Sequence, residues 1–221
     1  MERFADRAEA GRLLARAIGS ESGEVLVLGL PRGGVPVAAE VACALRAPLD
    51  VLIVRKLGVP GHVELAMGAV AAAGAAGKSV RVLNHGIVQA LGISALTLDA
   101  VTAVERRVVE RRARLLRPGM PALDLRGKTV VIVDDGIATG ATARACVRVA
   151  KAAGAARVVF AAPVGPEDTV AALARECDRV VVPETPEPFG AVGNWYHSFE
   201  EVPEGAVRRM LEESRRAPVE A

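Results

Sequence analysis

The sequence predicts an α/β fold in which a parallel sheet is flanked by helices. Two observations support this prediction. Short apolar runs alternate along the chain with segments of helical period, an order typical of strand–helix–strand units. The run from Val130 to Val133 is continuously apolar, as expected of a strand buried on both faces. The length of 221 residues suits one domain with a decorated core.

The composition excludes several classes of protein. Hydrophobic residues make up 51% of the chain and charged residues 24%, so the chain can bury a core. A net charge of +2 argues against large-scale nucleic-acid binding as the main function. The cysteines, Cys43, Cys146 and Cys177, form no C-x-x-C pair, and we interpret them as small buried residues in a reduced compartment. The N-terminus has no apolar signal core, and no stretch of about 18 apolar residues occurs, so we expect a cytoplasmic protein without a membrane span.

The N-terminal half opens with a helix and then alternates. Residues 4 to 18 place apolar side chains at helical spacing. We then predict a strand at Glu24 to Leu28, a helix at Val35 to Leu45 and a strand at Val51 to Val54. The segment from Lys56 to Leu65 holds two glycines, a proline and a histidine, and this composition predicts a mobile loop.

The middle of the chain adds strands and a long helix. Ala66 to Ala73 and Val80 to Leu83 are apolar runs that indicate strands. Ser94 is a candidate N-cap for a helix that reaches about Leu116 and ends before Pro118. Further along, the predicted alternation is a strand at Thr129 to Val133, a helix at about Ala141 to Ala153, a strand at Arg157 to Ala162, a helix at about Pro166 to Cys177 and a strand at Val180 to Val182.

The tail from Pro183 to Phe199 breaks the alternation. It has three prolines, two glycines and four of the six aromatic residues of the chain. The aromatic faces can stack on a flat base, which favours a role as a cover for a ligand. The alternative is that the rings pack the tail onto the core or onto a second subunit. A helix at about Glu204 to Arg216 follows.

The segment from Val130 to Thr142 gives the strongest functional signal. A buried strand ends in Asp134 and Asp135, and a loop with glycines and hydroxyls leads into a helix. Ligands of open parallel sheets bind beyond the carboxyl ends of the strands. The turn from Thr139 to Thr142 presents backbone N–H groups at a helix N-terminus, which favours a phosphate. The two carboxylates can accept hydrogen bonds from sugar hydroxyls or position a metal, so one ligand with a phosphate and a diol satisfies both halves.

This segment resembles the phosphoribosyl pyrophosphate (PRPP) signature of the type I phosphoribosyltransferases, which consists of an apolar strand, two acidic residues and a Thr-Gly loop. The resemblance implies the type I phosphoribosyltransferase fold, and transfer of the ribose 5-phosphate group from PRPP to a nitrogenous base with release of pyrophosphate. It also implies Mg²⁺ as the cofactor, held largely by ligand oxygens and water, with Asp134 and Asp135 acting on the metal through water. We further expect a homodimer.

The resemblance covers most of residues 25 to 182. It is weakest in the helical stretch 84–118, which looks like an insertion into a core formed by residues 1–182. It is also weak in residues 183–221, where we expect a C-terminal hood for the acceptor and the closing helix.

A second motif, Gly29 to Val35, again follows a strand and opens a helix. Paired glycines let a backbone approach an anion closely, and Arg32 supplies a bidentate cation. The motif resembles the pyrophosphate loop of the family, which implies a cis peptide bond between Pro31 and Arg32. Taken alone, the motif could equally be a glycine turn with a solvated arginine.

A third motif, Arg55 to Glu64, resembles the Arg-Lys start of the catalytic loop in adenine- and orotate-type members. There the loop closes over pyrophosphate and excludes water. The resemblance places His62 or Glu64 within reach of the closed site. The alternative is a disordered surface loop with solvated charges.

The resemblance assigns catalysis to Arg32, Lys56, Asp134 and Asp135. The expected substrate-binding residues are Gly33, Gly34, Arg55, Gly136, Ala138, Thr139, Gly140, Ala141 and Thr142, together with the tail aromatics Phe189, Trp195 and Tyr196. Hypoxanthine-type members have a third acidic residue where this chain has Ala138. The loop is therefore more similar to that of adenine-type members, and a hypoxanthine or guanine acceptor is in doubt.

Two other functions compete with this interpretation. Residues 72 to 79 imitate a nucleotide-triphosphatase P-loop, but Ala72 replaces a required glycine and Val80 to Leu83 indicates a strand where the P-loop needs a helix. A non-enzymatic PRPP sensor that binds nucleic acid is the second. Its phosphate contacts would come from the helical arginines Arg106, Arg107, Arg111, Arg112, Arg114 and Arg117. A solvated helix face, partly paired with Glu105 and Glu110, explains the same arginines.

Overall fold

A computed structural model describes residues 2–73 and 79–216. The elements are, in chain order, α1 (Arg7–Ile18), β1 (Val25–Gly29), α2 (Gly34–Leu45), β2 (Leu49–Val51), β3 (Val54–Val59), β4 (His62–Ala71), β5 (Val80–Leu83), α3 (His85–Ala90), α4 (Ala95–Leu116), β6 (Thr129–Val133), α5 (Ala141–Ala152), β7 (Arg157–Ala161), α6 (Glu167–Ala174), β8 (Arg179–Val181) and α7 (Glu204–Arg216).

The main layer is a five-stranded sheet in the order β2-β1-β6-β7-β8, and every pairing in it is parallel. From β1 the chain first adds β2 on one side and later returns to add β6 on the other. The strand order therefore reverses between β1 and β6, the place where open parallel sheets bind ligands. Because Gly29 pairs with Val133, the loops that follow these two strands leave the sheet side by side.

Strand β6 shows why the sheet needs helices on both faces. Its five residues are all buried, and successive side chains point to opposite faces. Val131 and Val133 belong to an apolar cluster shared with α1, α2 and α7, whereas Val130 and Ile132 pack in a cluster with Val147 of α5. Full burial of a side chain of this size contributes roughly 1.5–3 kcal/mol.

A second, antiparallel sheet of three strands, β3-β4-β5, corrects the predicted mobile loop at Lys56 to Leu65. The segment forms the facing ends of a hairpin, and its Pro60–Gly61 pair makes the turn, with φ of 79° at Gly61. Leu57 and Val59 are buried and alternate with the exposed Lys56 and Gly58, which is the period of a half-buried strand. The register shifts on both sides of Gly58 interrupt the alternation, which made the segment resemble a loop.

The predicted strand at Val51 to Val54 is also wrong in its bounds. The second strand of the main sheet ends at Val51, and Val54 begins the hairpin. Leu52 and Ile53 are buried in the connection between the two sheets, so the apolar run spans a junction.

The predicted long helix is confirmed as α4. Ser94 caps it, because its hydroxyl accepts a hydrogen bond from the Thr97 backbone N–H at 3.1 Å. At the other end Arg117 forms a bidentate ion pair with Asp50 of β2, with N–O distances of 2.6 and 2.7 Å. The short helix α3, which was predicted only as part of the helical stretch 84–118, is capped by the Asn84 side chain. These contacts attach the stretch 84–118 to the core.

The remaining segments largely follow the prediction. The tail is irregular apart from a 3₁₀ turn at Val192–Trp195 and isolated bridges from Phe4 to Tyr196 and from Val164 to Glu184. Cys146 and Cys177 are buried as expected, but Cys43 is exposed because it lies on the outer face of α2. Across the residues described, no helix has the length and apolarity needed to cross a membrane.

Candidate functional site

The loops after β1 and β6 are in direct contact at the carboxyl edge of the sheet. The Leu30 backbone N–H donates to the Val133 carbonyl at 2.8 Å. A β-carbon added at Gly34 would lie 2.6 Å from the same carbonyl oxygen, and one added at Gly33 would collide with the Asp135 carboxylate. The paired glycines are therefore required for the contact between the two loops. The Pro31–Arg32 peptide bond is cis, as the resemblance implied.

Asp134 is held at the end of β6 with its carboxylate close to the backbone. Its N–H donates to the Ala161 carbonyl at 3.1 Å, and its Oδ1 accepts from the Asp135 N–H at 3.0 Å. Desolvation in the cleft, followed by repulsion from the Asp135 carboxylate, raises the pKa of Asp134 well above its usual range. An ionised Asp134 is thus costly for the protein without a ligand.

Asp135 has different surroundings because the guanidinium of Arg7 is bound to its carboxylate. Its Oδ2 accepts a hydrogen bond from Arg7 Nε at 2.9 Å, and the two side chains are only 15% and 12% exposed. Its backbone carbonyl accepts from the Tyr196 hydroxyl at 2.6 Å. Burial, with repulsion from the Asp135 carboxylate as the second cause, raises the pKa of this tyrosine, so it stays a neutral donor.

Arg7 is the residue that sequence reasoning missed. Besides Asp135, its guanidinium donates from Nη1 to the Glu200 carbonyl at 2.8 Å and lies 3.9 Å from the centroid of the Phe199 ring. Arg7 and Asp135 are 128 residues apart in the chain. No local pattern in the sequence connects them.

The loop that precedes α5 leaves its N–H groups available. Gly140 is the N-cap and has φ of 70°, a left-handed conformation that favours glycine. Among the described residues no side chain caps this helix, so none of them takes up the first-turn donors at Ala141 and Thr142. Ala138 and Thr139 are exposed, and Thr169 of α6 donates to the Ala138 carbonyl at 3.0 Å, which supports the loop. This geometry suits a phosphate group.

The predicted cations have different partners. Arg32 forms an ion pair with Glu201 of the tail. Arg55 Nε donates to Glu105 Oε2 of α4 at 2.8 Å, whereas Lys56, on the opposite face of β3, borders a cleft of about 330 Å³ beside Ala141 of α5. A ligand that meets Arg32 must compete with a carboxylate of the same chain.

Of the two residues that the resemblance places within reach of the closed site, the structure describes the side chain of His62 but not that of Glu64. His62 is exposed at the start of β4 and borders a groove at the connection from α3 to α4. The side chain of Glu64 lies outside the part of the chain that the structure describes.

The tail aromatics lie beside the loop that carries the acid pair. The Tyr196 ring is 3% exposed and packs between Phe4 and Phe199, with ring centroids 5.3 and 4.9 Å away. Trp195 donates from its indole nitrogen to the Phe189 carbonyl at 2.9 Å. Val192 lies so close to Gly136 that a β-carbon there would collide with it. The tail therefore covers the start of the Asp-Gly loop directly.

The comparison with known proteins agrees with this geometry. The phosphoribosyl transferase domain matches residues 5–190 of the chain. The chain belongs to this family. The parallel sheet flanked by helices is the type I phosphoribosyltransferase fold that the sequence predicted.

Relatives of this phosphoribosyl transferase domain cover all or nearly all of its length. Two curated proteins of Mycobacterium tuberculosis, from strains CDC 1551 and H37Rv, are named provisionally as phosphoribosyl transferases. Each is 49% identical over 222 residues, and the match covers 100% of this chain and 49% of the relative. The chain thus spans about half the length of the curated relatives it matches. The crystal structure of TT1426 from Thermus thermophilus is 41% identical, with a TM-score of 0.84 and coverage of 96% of this chain and 98% of that one.

The acid pair of this phosphoribosyl transferase domain fits a magnesium ion that keeps most of its water. Within residues 2–73 and 79–216, no group of three or more His, Cys, Asp or Glu side chains could hold a metal. Mg²⁺ is usually bound through one or two carboxylates plus substrate phosphates, and Asp134 and Asp135 supply two carboxylates at the ligand edge. Asp135 Oδ1 accepts no hydrogen bond from the residues described.

The structure describes the helical arginines and part of the P-loop-like segment that suggested the two rival functions. Arg117 is paired with Asp50 and its side chain is only 9% exposed, so it is not available to the proposed nucleic-acid contacts. The other arginines of this set, Arg106, Arg107, Arg111, Arg112 and Arg114, are exposed on α4. Most of the P-loop imitation, residues 74–78, lies outside the described residues. Val80–Leu83 is a strand, as the argument against a P-loop expected.

Proposed function

We propose that this chain transfers the ribose 5-phosphate group from PRPP to a nitrogenous base and releases pyrophosphate. One observation supports this most directly. The glycine pair after β1 contacts the acid pair after β6, and the uncapped start of α5 follows on the same loop, at the edge of the sheet where the strand order reverses. PRPP carries a pyrophosphate, a diol and a phosphate, which these three features suit.

The 5-phosphate would bind the loop from Ala138 to Thr142. Backbone N–H groups at the start of α5 and the positive end of the helix dipole favour a dianion there. The ribose hydroxyls would donate to Asp135 Oδ1 and to Asp134, directly or through metal-bound water. In the sequence, Gly136 lies between the acid pair and the loop proposed for the 5-phosphate.

Pyrophosphate would bind the loop of Arg32, Gly33 and Gly34. Arg32 would exchange its Glu201 partner for the leaving group, an exchange that is easy because this pair is largely exposed. Lys56 would approach from β3, and Arg55 would have to leave Glu105 to take part.

The reaction forms a bond from the acceptor nitrogen to C1 of the ribose and breaks the bond from C1 to the pyrophosphate oxygen. Positive charge develops on the sugar ring, as in glycosyl transfer generally. Arg32 and Lys56 would neutralise the leaving group, and the two carboxylates would hold the ribose and face the positive ring. Bound Mg²⁺ would add charge neutralisation at the pyrophosphate oxygens.

The acceptor would bind under the tail. Val192 lies against Gly136, and Phe189, Pro186 and Thr185 line a groove of about 560 Å³ together with Glu167 and Asp168 of α6. We therefore keep residues 183–221 as a hood on a core of residues 1–182. The buried Tyr196 would support this hood, while Phe189 and Trp195 would offer their faces to the base. The homodimer and the cytoplasmic location stay predictions.

An assay of PRPP consumption and pyrophosphate release with magnesium, run against a panel of bases, tests the proposal. We expect one base class to support turnover, and Asp135→Asn to lower kcat/KM by roughly a hundredfold. Asp124→Asn is the matched control, because Asp124 is a partly exposed carboxylate on the surface, paired with Arg126. Wild-type protein that consumes PRPP with none of the bases would contradict the proposal.

A further inference from the structure

We propose that Arg7 is a positioning residue that fixes the Asp135 carboxylate for the ribose of PRPP, an inference that rests on the function proposed above. Arg7 belongs to the first turn of α1, outside every motif that predicted the site. Its guanidinium is nevertheless bound to the second acid of the Asp134–Asp135 pair.

The contact between Arg7 and Asp135 is unlike an ordinary surface ion pair. Among the ion pairs of the described residues, only Arg117–Asp50 is more buried on both sides. Exposed pairs hold side chains loosely because solvent screens them and side-chain entropy opposes them. Arg7 is instead held from three directions, by Asp135, by the Glu200 carbonyl and by the Phe199 ring.

The Asp135 carboxylate has little room to rotate as a result. Its Oδ2 lies between Arg7 Nε and the α-carbon of Gly33, where even a β-carbon would collide. Its backbone carbonyl is held by Tyr196. Oδ1 is the oxygen left without a hydrogen bond from the described residues, so it is the one available to a ribose hydroxyl. A carboxylate fixed before binding saves the entropy cost of ordering it in the complex.

The chemistry of the contact requires arginine. The planar guanidinium donates along two directions and stacks its face on an aromatic ring. A lysine ammonium can pair with Asp135 but cannot reproduce the contacts with Glu200 and Phe199 in the same geometry. Lysine should therefore restore the charge and only part of the positioning.

Calorimetric titration with two probes, PRPP and pyrophosphate, each with magnesium, tests this role. Arg7→Gln should weaken PRPP binding roughly ten- to hundredfold while leaving pyrophosphate binding unchanged, because the ribose and not the pyrophosphate meets Asp135. Arg7→Lys should give an intermediate affinity, and Tyr196→Phe a smaller loss in the same direction. Arg12→Gln is the matched control, since Arg12 lies on the same helix and pairs with Glu40 at 3.5 Å.

The outcomes separate this role from general damage and from failure of the proposed function. A purely structural role would lower the folded fraction and weaken both probes together, and that result would overturn the inference. Arg7→Gln combined with Asp135→Asn should bind PRPP no more weakly than Asp135→Asn alone, because the pair acts as a unit. Unchanged PRPP affinity in Arg7→Gln overturns the role of Arg7 alone. Wild-type protein that binds no PRPP overturns the proposed function and this role with it.

If Arg7→Gln does not fold, the role of Arg7 is tested with Arg7→Lys and Tyr196→Phe. A selective loss of PRPP affinity in both variants supports the role. Wild-type affinity in both variants overturns it.

Discussion

At the scale of single residues, two adjacent carboxylates differ in their surroundings. Asp135 has Arg7 as a charged partner, whereas Asp134 is desolvated and faces the charge of Asp135. The sequence predicted both as site residues from the strand-loop pattern alone. It could not predict the difference between them, because Arg7 comes from a segment distant in the chain.

We predict that Asp134→Asn stabilises the protein without ligand by about 0.5–2 kcal/mol at neutral pH, the usual range for one stabilising substitution. The raised pKa means that ionisation of Asp134 costs stability in the folded state, and an amide removes this cost while its oxygen can still accept from the Asp135 N–H. Chemical denaturation at several pH values measures this. The gain should shrink as the pH falls through the raised pKa, because the wild-type carboxyl then becomes protonated.

Asp135→Asn is the internal comparison for this prediction. It leaves Arg7 without a carboxylate, so it should lower the free energy of unfolding by about 1–3 kcal/mol. Equal changes in the free energy of unfolding for Asp134→Asn and Asp135→Asn would contradict the different surroundings of the two carboxylates.

At the scale of elements, the sequence predicted helices and strands correctly where the hydrophobic periodicity and the capping residues indicated the same element. Strand β6 and helix α7 have the predicted bounds, and Ser94 caps α4 as expected. The predicted strand at Ala66 to Ala73 falls mostly within β4, but the part of the hairpin from Lys56 to Leu65 was missed because its glycines and its bulge interrupt the alternation that identifies a strand. The attachment of α4 to β2 could not be predicted, since Asp50 and Arg117 lie 67 residues apart.

We predict that Asp50→Ala destabilises the protein by about 3–5 kcal/mol, because it leaves the largely buried Arg117 guanidinium without its charged partner. Urea unfolding measures the change. Arg106→Ala is the control on the same helix, and it should change stability by less than about 1 kcal/mol because its pair with Glu110 is exposed. Asp50→Ala combined with Arg117→Ala should cost less than the sum of the single changes, and strict additivity would contradict a coupled pair.

At the scale of the whole molecule, the site combines segments from the two end regions of the described chain. Arg7 precedes the first strand and Tyr196 follows the last, yet both bind Asp135, and Phe4 and Phe199 pack against Tyr196. The strands of the core sheet and the two glycine-containing loops at its carboxyl edge could be predicted from the sequence, because each depends on consecutive residues. The contacts that hold the acid pair could not, because they depend on how the complete chain folds.

We predict that PRPP with magnesium stabilises the whole domain. Ligand at about 100 times its dissociation constant should add roughly 2.7 kcal/mol to the free energy of unfolding. A thermal melt with and without ligand measures the shift, and Asp135→Asn should largely abolish it. Absence of any shift for wild-type protein at millimolar PRPP would count against the proposed function.

The meeting of distant segments at Asp135 also has a consequence for biosynthesis. Asp135 and Tyr196 are separated by 61 residues, which take roughly 3–12 s to translate. During that interval a nascent chain has its acid pair and the preceding sheet strands but lacks the tyrosine that holds the Asp135 carbonyl. The hydrogen bond from the Tyr196 hydroxyl to the Asp135 carbonyl can therefore form only after the acid pair and the strands before it have been made.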